Sequence, residues 1–200
     1  MSAVALGIYL GFLATAFGLS TLVQYCRTGD HGLRKLSGEG VLGWLRSILL
    51  VIGVMFAGAA PIAELLDLTE PPEMLDMAWL RGAGLTLAVL GMAVAVLSQY
   101  QMGDSWRIGV DLGETTPLIT VGLFGVVRNP IFSGMLLATA GLLMMVPNWF
   151  SAVAFPSLFV GLEMQVRWVE EPYLARVHGA RYLSYARMVG RFLPGVGLLP

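Results

Sequence analysis

The sequence predicts an all-α integral membrane protein, with about five transmembrane helices followed by a cytoplasmic amphipathic helical segment. Three observations carry that expectation. Hydrophobic residues make up 56% of the 200-residue chain and charged ones only 12%, about half the charged share of an ordinary soluble domain. Mean hydropathy is +0.75, so too few polar side chains exist to cover a water-facing surface. The apolar residues are also gathered into runs close to the roughly 20 residues that carry a helix across about 30 Å of hydrocarbon. Together these exclude a soluble enzyme, a disordered chain and a disulfide scaffold. A net charge of −1 gives no basic field for nucleic acid. Cys26 is the single cysteine, so neither an intramolecular disulfide nor a cysteine metal cluster is available.

The whole chain, 1–200, reads as one membrane domain. The first run, 4–23, has neither a basic leader nor a small-residue cleavage site and reads as a retained span. The second is 44–66 and the third 80–102. The fourth, 131–146, is short, and the fifth, 149–168, follows after only Pro147 and Asn148. Such a break between two apolar runs implies an antiparallel helical hairpin, and Pro and Asn suit the turn; a re-entrant pair is the alternative. Alternating the loops across the bilayer places eleven Lys and Arg on one side and only Arg81 on the other. Basic residues in short loops stay inside, so the N-terminus is expected outside and the C-terminus in the cytoplasm.

Two stretches break the pattern. Residues 103–130 hold five glycines and two prolines among apolar side chains, an irregular segment of a length that is usually functional. Residues 170–194 are polar, with Leu174, Val177, Tyr182, Tyr185 and Met188 at helical spacings. That suits a helix on the membrane face, broken at Gly179.

Charged groups at membrane depth are candidates for function. Glu163, Arg167, Glu170 and Glu171 recur at i, i+4, i+7 and i+8, which on a regular α-helix puts them on one face. They read either as a salt-bridged helix end or as a grip for a zwitterionic or cationic ligand. Asn129 and Pro130 suit the N-cap and first position of the fourth helix. Arg128 beside that N-terminus suits a carboxylate. Gln99 closes the third span and needs a polar partner. His31 and His178 read as surface residues. No Ser-His-Asp set, phosphate loop or metal cluster is present.

The run GLFGVVRNPIFSG, Gly122 to Gly134, resembles the signature of the isoprenylcysteine carboxyl methyltransferases and of the related phospholipid N-methyltransferases. Their pattern is Gly-x-Tyr-x-x-x-Arg-His-Pro-x-Tyr-x-Gly, then Glu-Glu, Gly-x-x-Tyr-x-x-Tyr, and a terminal Arg and Pro. Here the later elements are Glu170-Glu171, Gly179, Tyr182, Tyr185, Arg191 and Pro194. The resemblance implies an integral membrane methyltransferase that uses S-adenosylmethionine on a small lipophilic acceptor, a carboxylate of isoprenoid or prenylcysteine type. It implies a cofactor site in residues 103–130 and 167–194, made by Gly122, Phe124, Arg128, Asn129, Pro130, Phe132, Glu170, Glu171 and Tyr182. Arg167 and Glu170 are the candidates for the acceptor and the reaction. Asn129 replaces the family histidine and cannot carry a proton; Phe124 and Phe132 replace tyrosines and lose two hydroxyls. A non-catalytic relative and an NADPH-dependent membrane reductase of similar architecture are the alternatives.

Overall fold

The computed structural model describes residues 1–29, 40–103 and 117–200. The basic loop residues Arg34 and Lys35, His31 and the stretch around Trp106 lie outside the described residues. Five long helices carry the fold. They are α1 (Ser2–Thr28), α2 (Gly40–Leu65), α3 (Ala78–Met102), α4 (Pro130–Met145) and α5 (Trp149–His178). A shorter α6 (Ala180–Met188) follows, and 3₁₀ turns occupy Glu73–Leu75 and Gly122–Gly125. Helices α1, α2, α3 and α5 are each long and apolar enough to cross a bilayer. The 16 residues of α4 reach only about 24 Å, as the short fourth run implies. The only extended pairing among the described residues is an isolated parallel bridge between Val127 and Gly190.

Small residues set the packing. Along α3, Gly84, Ala88, Gly91 and Ala95 form a flat buried stripe, and Gly134, Ala138 and Gly141 form its counterpart on α4. A Cβ on Gly91 would lie 2.3 Å from the Ala138 nitrogen, and one on Gly141 2.4 Å from the Ala88 nitrogen. Backbones touch here because nothing stands between them, the association mode of helices in lipid, where hydrophobicity itself does not drive contact. Helix α5 packs on α2 by the same means, with Gly53 under Leu158 and Gly161 under Leu50. The Pro147-Asn148 turn is held tightly. Asn148 and Ser151 form a reciprocal capping box at the start of α5, and Asn148 Nδ2 donates to the Ala60 carbonyl of α2 at 2.9 Å.

The helices alternate in direction, so polar groups collect at two ends. At the Ser2 end, Ser2 donates to Glu64 at 2.9 Å, and Arg81 pairs with Glu64 at 3.4 Å and Asp76 at 2.8 Å. At the Pro130 end, the segment after α6 folds back under residues 127–129. Arg128 N donates to the Gly190 carbonyl at 2.7 Å and Asn129 N to that of Arg191 at 3.1 Å.

Candidate functional site

Two π-helical turns interrupt otherwise α-helical spans: Ala14–Leu19 in α1 and Val166–Glu170 in α5. Such turns rotate the following residues to a new face and occur frequently at functional sites. Both border one chamber of about 700 Å³, which reaches from the Pro130 end into the helix bundle. Its inner part is apolar, walled by Phe17, Leu50, Val54, Met135, Leu158 and Leu162. Its outer part is polar, walled by Asn129, Gln165, Glu170, Glu171, Tyr182 and Tyr185. Gln99 finds its partners at the first π turn. Its Nε2 donates to the Ala16 carbonyl at 2.8 Å and its Oε1 accepts from Ser20 at 2.8 Å.

Beneath the polar part lies a buried charge cluster. Arg128 is 6% exposed. Its Nη1 donates to the carbonyls of Ala186 and Val189 at 2.6 Å each. Its Nη2 donates to Glu171 at 2.8 Å and to the Gly197 carbonyl at 2.8 Å. Arg191 takes the other side of Glu171, through Nε at 2.8 Å and Nη2 at 3.1 Å, and reaches Glu163 at 3.4 Å. The paired carboxylate holds the Arg191 guanidinium above its usual range. Glu171 thus sits between two arginines that fasten the end of the chain to the start of α4.

Most of the residues expected at the site do converge on the chamber. Phe124, Arg128, Asn129, Phe132, Glu170, Glu171 and Tyr182 line it. Asn129 stands at the N-cap of α4, but its side chain leaves the helix N–H groups alone and donates to the Arg191 carbonyl at 3.3 Å. Pro130 opens α4 in full burial. Gly122 lies outside the lining and shapes the turn. Its φ is +63°, and a Cβ would come within 2.5 Å of Gln101 Oε1, the atom that accepts from Leu123 N at 2.9 Å.

Arg167 is the candidate that the fold separates from the others. The π turn breaks the regular register on which a shared face with Glu170 rests. The Arg167 side chain is 57% exposed and pairs with Glu163 at 2.5 Å, whereas Glu170 faces the chamber and accepts from Gln165 Nε2 at 3.0 Å. His178, expected at the surface, is half-buried. Gln165 joins the site with no signal in the sequence, and Tyr185 and Arg191, marked by the motif but not among the expected cofactor residues, join it too. Tyr185 donates to the Phe124 carbonyl at 2.5 Å, so the backbone at Phe124 is held although the family tyrosine is absent there. Burial pushes the Tyr185 hydroxyl up to about 12 and raises that of Tyr182 as well, so both stay protonated donors near neutral pH.

An all-α membrane bundle with a largely apolar chamber that carries polar groups at one end is the setting in which comparisons with known proteins place this chain among the membrane methyltransferases. The phospholipid methyltransferase family model matches residues 79–181, and the chain belongs to that family. Protein-S-isoprenylcysteine O-methyltransferase B of Arabidopsis thaliana is 30% identical over 120 residues, 59% of this chain and 61% of that protein. A probable protein-S-isoprenylcysteine O-methyltransferase of Oryza sativa subsp. japonica is 29% identical over 169 residues, 82% of this chain and 84% of its own. The fold is similar to that of the eukaryotic intramembrane Ras methyltransferase ICMT, with a TM-score of 0.64 at 16% identity, covering 98% of this chain and 68% of the other.

Proposed function

We propose that the chain transfers a methyl group from S-adenosylmethionine to the carboxylate of a lipophilic acceptor of prenylcysteine type, at the cytoplasmic face of the membrane. The observation that carries this reading is a largely apolar chamber with a cluster of polar and charged side chains, Asn129, Gln165, Glu170, Glu171, Tyr182 and Tyr185, in its wall. The polar wall fits the cofactor. Glu170 offers a carboxylate, and the buried Gln165 Oε1 has no hydrogen-bond partner among the described residues, so an ammonium group there finds two acceptors. Tyr182 and Asn129 line the same wall and can donate to or accept from a nucleoside. The apolar remainder fits an isoprenoid chain. Val51 and Met55 border it while 61% and 63% exposed, which opens a lateral path from lipid.

Glu170 and Gln165 would hold the ammonium end of the cofactor and Tyr182 and Asn129 its nucleoside, and the bound cofactor would supply a sulfonium methyl for the acceptor carboxylate, leaving a neutral thioether. No proton moves, so the residues need only align the partners and exclude water. The absence of a histidine at Asn129 is compatible with that demand. The eleven-to-one division of basic residues supports a cytoplasmic C-terminus and an external N-terminus.

Binding of radiolabelled S-adenosylmethionine to the purified protein tests the reading. Saturable binding is expected, and Glu170→Gln should weaken it about tenfold or more, the worth of one charged hydrogen bond. Incubation with S-farnesylcysteine should then yield a base-labile methyl ester. Absence of saturable binding overturns the proposal.

A further inference from the structure

Helix α2 carries a charge that nothing in the described structure uses. Arg46, Leu50 and Val54 recur at i, i+4 and i+8 and so share one face of that helix; Leu50 and Val54 line the chamber. Arg46 is 3% exposed, yet its Nε and Nη2 have no hydrogen-bond partner among the described residues. Those two nitrogens form one edge of the guanidinium, two parallel donors that match the two oxygens of a carboxylate. Glu170 lies close enough to act on Arg46 electrostatically, but its hydrogen bond goes to Gln165. Gln165, 4% exposed, in turn leaves Oε1 unfilled. Arg191 differs in kind, because its Nε and Nη2 both go to Glu171, and Arg128 places both terminal nitrogens on Glu171 and backbone carbonyls, leaving only Nε without a partner among the described residues. A buried, unpaired guanidinium edge is expensive, and a ligand that completes it recovers that cost.

We infer that Arg46 is the carboxylate receptor of the chamber: its Nε–Nη2 edge takes the carboxylate of a bound molecule side-on, while Gln165 Oε1 accepts from the N–H group next to it. The inference rests on the methyl-transfer reading above and adds a residue from the N-terminal half, outside the matched family region 79–181. Two molecules bring a carboxylate flanked by nitrogen, the amino-acid end of the cofactor and the prenylcysteine acceptor. The chemistry at Arg46 is the same for either.

The full chain in detergent, as wild type, Arg46→Gln and Arg46→Lys, separates them. The probes are S-adenosylhomocysteine, 5′-methylthioadenosine (the same nucleoside without the amino acid), N-acetyl-S-farnesylcysteine and its uncharged amide. If the cofactor's carboxylate is the one held, Arg46→Gln weakens S-adenosylhomocysteine binding about 10- to 100-fold and leaves methylthioadenosine binding unchanged. If the acceptor's is held, Arg46→Gln removes the preference for farnesylcysteine over its amide by a similar factor. Arg46→Lys restores only part of either effect, since it keeps the charge and loses the parallel edge. Unchanged affinity for both acids in Arg46→Gln overturns the inference. Failure of the wild type to bind either nucleoside overturns the methyl-transfer reading instead. Ligand-free melting separates the remaining case: Arg46→Gln should melt at or above the wild type, because it removes an unpaired buried charge, and a clearly lower melting temperature in both variants would reveal a structural ion pair and overturn the receptor role.

Discussion

Arg128 and Arg167 look alike in the sequence, two arginines beside signature residues, and the fold gives them different work. Arg128 holds Glu171 and three backbone carbonyls through its two terminal nitrogens. Arg128→Ala should therefore cost about 3–5 kcal/mol, as breaking a buried ion pair does, and lower the melting temperature by on the order of 10 °C. Limited proteolysis should cut the freed residues 189–200 first. A variant that melts like the wild type and loses only cofactor affinity would contradict that role. Arg167 makes one exposed i,i+4 pair, worth roughly 0.5 kcal/mol. Arg167→Ala is expected to keep both stability and S-adenosylmethionine affinity, and equilibrium binding on the purified variant checks it. Tyr185 supplies a pH dependence. Its folded value of about 12 lies above the ordinary value of about 10, so the folded state keeps a proton that the unfolded chain gives up. Stability is then unaffected below about pH 10 and falls as pH rises from there toward 12. Melting curves across pH 9 to 12 should show that loss, and a shallower one for Tyr185→Phe.

At the scale of helices, the contact between α3 and α4 depends on side chains that are missing. A Cβ at Gly91 has no room, with backbone atoms of α4 at 2.3 and 2.6 Å, whereas one at Gly82 meets nothing within 4 Å. Gly91→Ala should destabilise by about 1–3 kcal/mol or more through overpacking. Gly82→Ala, on the same helix, should be neutral or stabilising by up to about 1 kcal/mol, since alanine is the better helix former. Equal melting temperatures for the two variants would show that the helices separate without cost. The consequence reaches the site, because α4 carries Phe132 and Met135 into the chamber wall and begins at the turn that Arg128 anchors. The two π turns act at the same scale: each shifts the helical register where it borders the chamber, and at the second Glu170 faces inward while Arg167 stays outside.

For the whole molecule, five helices that alternate in direction leave the first residue and the last on opposite sides. The Arg128, Glu171 and Arg191 cluster and the chamber's polar part lie at the end where eight of the nine described basic residues collect, and Arg81 lies at the other. A reporter fused after Pro200 should be active in the cytoplasm, and one fused before Met1 should be active outside. Two reporters on the same side would require an even number of crossings, which neither five spans nor three spans with a re-entrant α4–α5 pair provides. Under the proposed function, with the polar end of the chamber in the cytoplasm as the reporters test, a water-soluble cofactor would enter from water and a lipid acceptor past Val51 and Met55. Neither has to cross the other's path.

Composition and periodicity sufficed for the membrane class, for the apolar runs and for the turn at Asn148, because these follow from local chemistry: apolar length, helix caps and the demand that backbone groups be satisfied inside the bilayer. The ordered motif from Gly122 to Pro194 was enough for the family and for most of the chamber's polar wall. Tertiary structure decided what spacing cannot carry. Arg46 stands 124 positions before Glu170, and only the packing of α5 on α2 through Gly53 and Gly161 brings the two within electrostatic reach of each other. The shared face expected of Arg167 and Glu170 assumed 3.6 residues per turn, and the π turn at Val166–Glu170 departs from it. The burial of Arg128 depends on a chain end that folds back some 60 residues later to offer its carbonyls. In each case the deciding energy is that of a contact between distant segments, so no reading of neighbours along the chain contains it.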